Sequence, residues 1–287
     1  MIERYFNYIE DLILVLRGEL DNIINILMQS IRYKEVAIYY SMFFLNKIGV
    51  IDKSTLNQYG IRYGDRMNNE NIKYLKKTFG INFIGKSNIE TFSEYSTFKD
   101  FLPSDNEVVL DIGGYQGETA IFYSKICKAK KVVVVEPVSV NFKYLLKNIK
   151  NFRNIIPIKK AVSDRNEVIR IKYDPISKMG MSDAGNNFKT EKVRTITLDK
   201  LVETLGLKNV DLIKIDVEGF EMSVLKGGIN MIKKFKPKLI IETHSEKLRN
   251  DVINFLEKLG YVKIKKGHTL RLISGHIRFV QTLFLKT

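Results

Sequence analysis

The sequence predicts an α/β fold for its C-terminal part, with a mostly parallel sheet covered by helices on both faces. Two observations predict it. Short, continuous apolar segments alternate with helical segments after Pro103, and a glycine-rich turn joins the first of these strands to the first helix. The length of 287 residues, with 45% hydrophobic and 28% charged residues, suits one large or two small globular domains and excludes disordered, collagen-like and coiled-coil chains.

The C-terminal elements are predicted in the following order. Parallel strands are expected at 107–112, 131–135, 155–162, 211–215 and 237–243, and the first two are followed by helices at 118–127 and 139–150. Alternating polar and apolar residues predict an antiparallel pair at 168–173 and 192–198, and a closing antiparallel hairpin at 261–265 and 278–285.

Residues 1–100 are predicted to form a mainly helical cap for substrate binding or oligomerisation, and residues 101–287 the α/β domain. Apolar residues recur at helical spacing from Tyr5 to Leu27. The apolar stretches near the N-terminus are too short or too interrupted to span a bilayer, and no signal-peptide pattern precedes them. The single cysteine, Cys127, excludes an internal disulfide, so we expect a cytoplasmic protein.

The net charge of +15 first suggests a nucleic-acid-binding protein. Residues 1–100 are nearly neutral, with 13 basic and 12 acidic side chains, so the excess lies in the C-terminal part, where 125–194 has 17 basic and 6 acidic residues. Lys outnumbers Arg by 35 to 12, and Arg is the better reader of bases and phosphates. Nucleic acid is therefore disfavoured, while contact with an anionic glycan, glycolipid or membrane surface stays open.

The glycine turn at 113–117 follows the first strand and opens the first helix, the place where open α/β sheets bind ligands. Asp111 ends this strand facing the crevice, and Glu136 ends the second strand, where an acid can hold the hydroxyl pair of a ribose. A dinucleotide fingerprint requires glycine at Ile112, and Asp111 and Glu118 would repel a pyrophosphate. The sulfonium and amino group of S-adenosylmethionine suit this acidic rim better, so we expect that cofactor.

With these residues in place, the sequence resembles the FkbM family of S-adenosylmethionine-dependent methyltransferases. The matching segments are 109–119, 135–137, 160–164, 211–221 and 225–228, within residues 105 to 245. The resemblance implies a Rossmann-like methyltransferase fold, whose seven-stranded, mostly parallel sheet has an antiparallel last strand. It also implies methyl transfer, usually to a hydroxyl of a sugar or natural product.

Carried over by position, the resemblance implies a set of cofactor-binding residues. Those assigned are Asp111, Gly113, Gly114, Tyr115, Gly117, Glu136, Pro137, Ser163, Asp164 and Asp216. Asp111, Gly113 and Gly117 would line the methionine side. Glu136 would hold the ribose, and Ser163 and Asp164 would lie at the adenine edge.

The fourth and fifth strands end in polar residues that we predict to be catalytic. Strand alternation puts Lys214 and Asp216 on one face, with Glu218 just past the strand, and Glu242 and His244 on one face of the fifth strand. His244 is the candidate general base, because neutral imidazole can accept a hydroxyl proton.

Two other interpretations of these residues stay open. Lys214 and Asp216 can form a purely structural ion pair. Asp216, Glu218, Glu242 and His244 can instead bind a divalent metal ion, but the sequence does not define that ligand set, and no metal ligand is assigned.

The predicted function is O-methylation of a small-molecule, glycan or glycolipid acceptor by an S-adenosylmethionine-dependent methyltransferase. An RNA or protein methyltransferase is the alternative, although 216–219 lacks the Asn- or Asp-Pro-Pro-aromatic tetrapeptide typical of base-amine methyltransferases. A non-catalytic module that binds S-adenosylmethionine is the second alternative. Neither the acceptor nor the oligomeric state follows from the sequence.

Overall fold

The computed structural model describes residues 72–73, 75–77, 80–85, 101–173, 188–273 and 276–287, with the side chains of 263–284 left aside. The chain divides into two compact units, 1–77 and 78–287. In the first unit, residues 72–73 and 75–77 are helical. Residues 80–85, also part of the predicted cap, are not helical. The other residues of the predicted cap, and the predicted boundary near residue 100, lie outside the described residues.

Ten strands form two sheets within the described part of the second unit. The strands are β1 Val108–Ile112, β2 Lys131–Val135, β3 Ile155–Ile158, β4 Ala161–Val162, β5 Val168–Tyr173, β6 Lys189–Ile196, β7 Leu212–Ile215, β8 Lys238–Thr243, β9 Val262–Ile273 and β10 His276–Lys286. The helices are α1 Glu118–Ile121 with a π-helical continuation Phe122–Ile126, α2 Ser139–Ile149, α3 Leu198–Thr204, α4 Glu221–Lys226, α5 Ile229–Phe235 and α6 Glu246–Glu257.

The main sheet has the strand order β3-β2-β1-β7-β8-β10-β9. In this spatial order, the five neighbouring strands β3, β2, β1, β7 and β8 pair in parallel. β10 is antiparallel to both of its neighbours, β8 and β9. This confirms the predicted seven-stranded, mostly parallel sheet with an antiparallel last strand. Because the chain proceeds from β1 to β2 and β3 on one side and returns to β7 on the other, the crevice of the sheet opens at the carboxyl ends of β1 and β7.

The predicted third strand, 155–162, is split in the structure. The chain turns after β3, where the backbone N–H of Lys160 donates to the carbonyl of Ile158. β4 then leaves the main sheet and pairs in parallel with β6, which is antiparallel to β5. The predicted antiparallel pair is thus confirmed, as an edge of a separate three-stranded sheet.

The central strands are buried on both faces, which explains their continuous apolar sequences. All five residues of β1 and all four of β7 are buried. Asp111 and Lys214 are the charged members of these strands, and they are Cα partners across the β1–β7 pairing. Charged groups are costly in such a position unless they are paired, so the sheet itself brings these two together.

Residues 80–85 pack on α2 within the second unit. The Asn148 side chain accepts from the Ile84 N–H at 2.8 Å and donates to the Ile84 carbonyl at 2.9 Å. The same amide donates to the carbonyl of Gln116 at 2.9 Å. Asn148 therefore ties this segment to the turn that follows β1. Among the described residues, no helix combines the length and apolar character needed to cross a bilayer.

Candidate active site

The glycine turn after β1 is clamped between the ends of two neighbouring strands. On the β2 side, the N–H groups of Gly113 and Gly114 both donate to the carbonyl of Val135 at 3.0 Å. On the β7 side, Gly113 has a φ of +82°, and a Cβ at this position would lie 1.8 Å from the carbonyl oxygen of Asp216. No other residue type fits Gly113 without moving the backbone, because both its conformation and its packing exclude a side chain.

Glu136 follows β2, and its side chain also holds the glycine turn. Its carboxylate accepts hydrogen bonds from the backbone N–H groups of Tyr115 at 3.0 Å and Val138 at 2.9 Å, and from the Asn141 amide at 3.3 Å. Burial raises the pKa of Glu136 to about 7, against the lowering effect of these donors. Asn141 is a site residue that the sequence did not indicate, because a polar residue in a first helical turn is ordinary.

Lys214 reaches from β7 to the underside of the glycine turn. Its ammonium donates to the Gly113 carbonyl at 2.9 Å and lies 3.6 Å from carboxylate oxygens of both Asp111 and Asp216. Only 3% of the Lys214 side chain and none of the Asp111 side chain is exposed. Burial raises the pKa of Asp111, and the Lys214 charge opposes that shift. Lys214 thus connects the predicted cofactor side to the predicted catalytic side, and the predicted structural ion pair is present.

His244 lies where β8 ends and α6 begins, and it faces acidic residues on two sides. Its Nε2 is 3.3 Å from Glu218 Oε2 and 3.7 Å from Asp216 Oδ1, while its Nδ1 is 3.3 Å from Glu221 Oε1. Ser245 caps α6 by accepting from the Leu248 N–H, which fixes the backbone just beyond the imidazole. The predicted convergence of Asp216, Glu218 and His244 is therefore seen in the structure.

The acidic surroundings control the protonation of His244. Burial lowers its pKa, but the carboxylates of Glu221, Glu218, Asp216 and Glu242 together raise it more, to about 10. An imidazole with this pKa carries its proton at neutral pH, so it can act as a base only after that proton has been removed. The predicted base role of His244 stays a prediction.

Glu221 is the second residue that sequence reasoning did not place in the site, since an acid in the first turn of a helix is favourable anywhere. It is fully buried, and its Oε1 also accepts from the backbone N–H groups of Gly219 at 3.1 Å and Val217 at 3.4 Å. The sequence offered one indication of this position, namely that Glu221 is only three residues from the predicted site residue Glu218. Glu221 holds the β7–α4 turn and the imidazole in one arrangement.

Ser163, Asp164 and Pro137 have weaker ties to this centre. Ser163 follows β4, is buried, and donates its backbone N–H to Ile196. Its hydroxyl donates to Asp164, which is exposed. Pro137 follows Glu136 directly and is partly exposed. Their assignment to the cofactor stays a prediction, as do the catalytic roles of Lys214, Asp216, Glu218, Glu242 and His244.

The residues around the glycine turn fit the predicted S-adenosylmethionine. Asp111 is paired with Lys214 at 3.6 Å, but within the described residues neither of its carboxylate oxygens makes a hydrogen bond, so it can also favour a second positive charge nearby. Residues 101–124 contain no basic side chain. Glu136 adds a carboxylate at the end of β2, the position that holds a ribose in nucleotide-binding sheets.

Comparisons with known proteins agree with this arrangement. Residues 111–263, which include the whole site, match the family described as the methyltransferase FkbM domain. The hexuronic acid methyltransferase AglP of Haloferax volcanii is 28% identical over 156 residues, which cover 54% of this chain and 63% of that protein. The chain thus spans less than two thirds of the length of this relative.

Solved methyltransferase structures align with this chain at low sequence identity. The METTL16 methyltransferase domain aligns with a TM-score of 0.50 and 11% identity, covering 75% of this chain and 77% of that one. Methyltransferase FkbM from Methylobacillus flagellatus KT aligns with a TM-score of 0.45 and 16% identity, covering 88% and 72%. From the match over more than half of its length, the chain belongs to the FkbM methyltransferase family.

Proposed function

We propose that this protein transfers a methyl group from S-adenosylmethionine to a hydroxyl of a saccharide that carries a uronic acid or a similar sugar. The observation that carries the proposal is the position of Asp216. It lies 3.6 Å from Lys214, under the cofactor turn, and 3.7 Å from His244. A methyl donor and a hydroxyl acceptor bound on its two sides are held next to each other, and such alignment alone supplies much of the rate of a transfer reaction.

The cofactor side uses backbone and acidic groups. Glu136 accepts hydrogen bonds from the ribose hydroxyl pair. Gly113 and Gly114 allow the backbone of the turn to approach the ligand closely, and Asp111 stabilises the positive charge of the methionine part. When bound, S-adenosylmethionine supplies a methyl group on a positively charged sulfur, which leaves as a neutral thioether.

The acceptor side is polar and partly exposed. Asp216 and Glu218 accept a hydrogen bond from the attacking hydroxyl, and with His244 they take up or pass on its proton. Phe220 lies between Glu218 and Glu221 in the chain and is 43% exposed, so this turn also presents an apolar ring to the acceptor. Saccharide sites need this combination of an apolar surface and a few convergent polar groups. The relative AglP, a hexuronic acid methyltransferase, supports the choice of acceptor.

The test is a labelled-methyl transfer assay with the full chain. Glucuronic-acid-containing oligosaccharides, neutral oligosaccharides, RNA and protein are offered in parallel, and we expect label on the uronic-acid saccharide. A methyl ether survives mild base whereas a methyl ester is cleaved, so alkaline treatment separates transfer to a hydroxyl from transfer to the carboxylate.

Phe220→Ala provides the matched variant. It should raise KM for the saccharide while S-adenosylmethionine binds with unchanged affinity. Label that appears only on RNA or protein, or label that mild base removes, overturns the proposal.

A further inference from the structure

We propose that Asp216, Glu218 and His244 bind one divalent metal ion of the kind that accepts both carboxylate oxygen and imidazole nitrogen, such as Mn²⁺. One ligand atom from each residue lies within 4.8 Å of the other two. All three side chains are mostly buried, with 18% of Asp216, 14% of Glu218 and 8% of His244 exposed.

The separations suit a coordination sphere. Two ligand atoms that each lie about 2.1 Å from one ion are about 3.0 Å apart at a right angle and about 3.4 Å apart in a tetrahedron. His244 Nε2 is 3.3 Å from Glu218 Oε2 and 3.7 Å from Asp216 Oδ1. Both nitrogen–oxygen separations are thus within a few tenths of an ångström of those in a coordination sphere, and an ion draws together the three ligand atoms, which all lie within 4.8 Å of one another.

The imidazole is oriented in the way that metal-binding histidines usually are. Among the described residues, neither ring nitrogen of His244 makes a hydrogen bond, and the acidic groups around it stand at ion-pair distances. Nδ1 faces the buried Glu221 at 3.3 Å, and Nε2 points between Asp216 and Glu218. An ion that binds Nε2 takes the place of the proton on this nitrogen, which is released to solvent. A carboxylate on the second nitrogen of a ligating histidine fixes the ring and raises its basicity.

The local charge also favours a cation. Acidic groups outnumber basic ones here, with Lys214 and His244 facing five carboxyl groups: Asp111, Asp216, Glu218, Glu221 and Glu242. Lys214 is held by the Gly113 carbonyl, Asp111 and Asp216 Oδ2, whereas His244 faces the other oxygen of Asp216, Oδ1. A divalent ion adds positive charge at the partly exposed end of the cluster.

The chemical consequence rests on the proposed function, whereas the binding itself does not. A divalent ion lowers the pKa of a hydroxyl bound to it, so the acceptor releases its proton to solvent more easily. The oxygen electron pair then forms the bond to the methyl carbon, and the sulfur keeps the pair of the bond that breaks. The carboxylate of a uronic acid would bind the same ion, which removes its repulsion by the acidic cluster.

The test is a titration of the full chain with Mn²⁺, with no acceptor added. Binding is measured as the decrease in the electron paramagnetic resonance signal of free Mn²⁺. We expect one site per chain in the wild type and an affinity lower by about tenfold or more in Glu218→Gln, Asp216→Asn and His244→Gln. Glu203→Gln, which removes a carboxylate that is 69% exposed, should bind like the wild type.

Two further measurements keep the result decisive. Circular dichroism shows whether each variant is folded, the affinity for S-adenosylmethionine checks this again for Glu218→Gln and His244→Gln, and Glu221→Gln should weaken Mn²⁺ binding less than the three ligand variants do. No Mn²⁺ binding by a wild type that binds S-adenosylmethionine overturns the metal site and leaves the proposed function standing. Mn²⁺ binding that is equal in all variants also overturns it, since the ion would then be held elsewhere.

Discussion

The two halves of the site are built in different ways. At the ends of β1 and β2, the turn is held by backbone hydrogen bonds, and Glu136 is occupied by two N–H groups and one amide. At the ends of β7 and β8, Asp216 and Glu218 follow one strand and His244 follows the other, and their side chains meet at 3.3 to 3.7 Å. The first half is therefore fixed by its own backbone, whereas the second depends on side chains that different strands bring together.

The largest expected effect comes from breaking the connection between the halves with Lys214→Met. Removal of one partner of a buried ion pair leaves Asp111 as an uncompensated buried acid, which costs about 3–5 kcal/mol of the free energy of unfolding. Urea denaturation measures this cost. Lys200→Met, at a side chain that is 54% exposed, should change the free energy of unfolding by about 0.5 kcal/mol or less.

The double variant Lys214→Met, Asp111→Asn separates the two explanations of that loss. If the unpaired acid causes it, the double variant should be more stable than Lys214→Met alone. A double variant that is less stable than either single variant would instead assign the loss to packing of the lysine stem.

The next largest effect is expected at the junction itself, with Gly113→Ala. The added Cβ would lie 1.8 Å from the Asp216 carbonyl oxygen, and the alanine would have to keep a φ of +82°. The two halves are therefore pushed apart. We expect a loss of about 3 kcal/mol in the free energy of unfolding and weak binding of S-adenosylmethionine.

Gly260→Ala is the matched control for that junction variant. Gly260 has a φ of +83° but no atom within 4 Å of an added Cβ, so it carries the conformational cost without the contact. It should lose only about 1 kcal/mol. Equal losses in the two variants would show that conformation alone, and not the clamp between β2 and β7, restricts Gly113.

The smallest effect is expected from Glu136→Gln, which should change ligand binding only in the half at the ends of β1 and β2. A ribose hydroxyl bound by a carboxylate contributes about 1.5–3 kcal/mol, so the affinity for S-adenosylmethionine, measured by calorimetry, should fall about 10- to 100-fold. Mn²⁺ binding should stay as in the wild type. Glu257→Gln, at an exposed helix end, is the control.

The same variant has a pH signature. Because the pKa of Glu136 is raised to about 7, the wild type should lose affinity for S-adenosylmethionine as the pH falls from 8 to 6, and Glu136→Gln should not. In the free protein the sign is opposite. Protonated Glu136 stabilises the folded state, and this contribution is complete below the ordinary pKa of 4.5. The contribution is lost as the pH rises through 7, so Glu136→Gln should gain stability relative to the wild type at high pH. A pH profile that is the same in both proteins would contradict this role.

The sequence by itself determined most of the order of the elements and the residue types that gather at the site, while the chemical roles of those residues stay predictions. Continuous apolar strands such as β1 and β7 can only be buried on both faces, so they predicted the parallel sheet. Strand alternation placed Lys214 beside Asp216, and the acids Asp111 and Glu136 at strand ends indicated a cationic nucleoside. These features depend on local spacing, which a sequence displays directly.

The tertiary structure alone decided which of these groups meet. Contacts such as Lys214 to the Gly113 carbonyl, His244 to Asp216 and Glu221 to His244 depend on β7 lying between β1 and β8. Asn141 and Glu221 look like ordinary first-turn residues until the sheet order puts them beside Glu136 and His244. The protonation of His244 follows from the same packing, because its pKa depends on burial and on four carboxylates that several segments bring together.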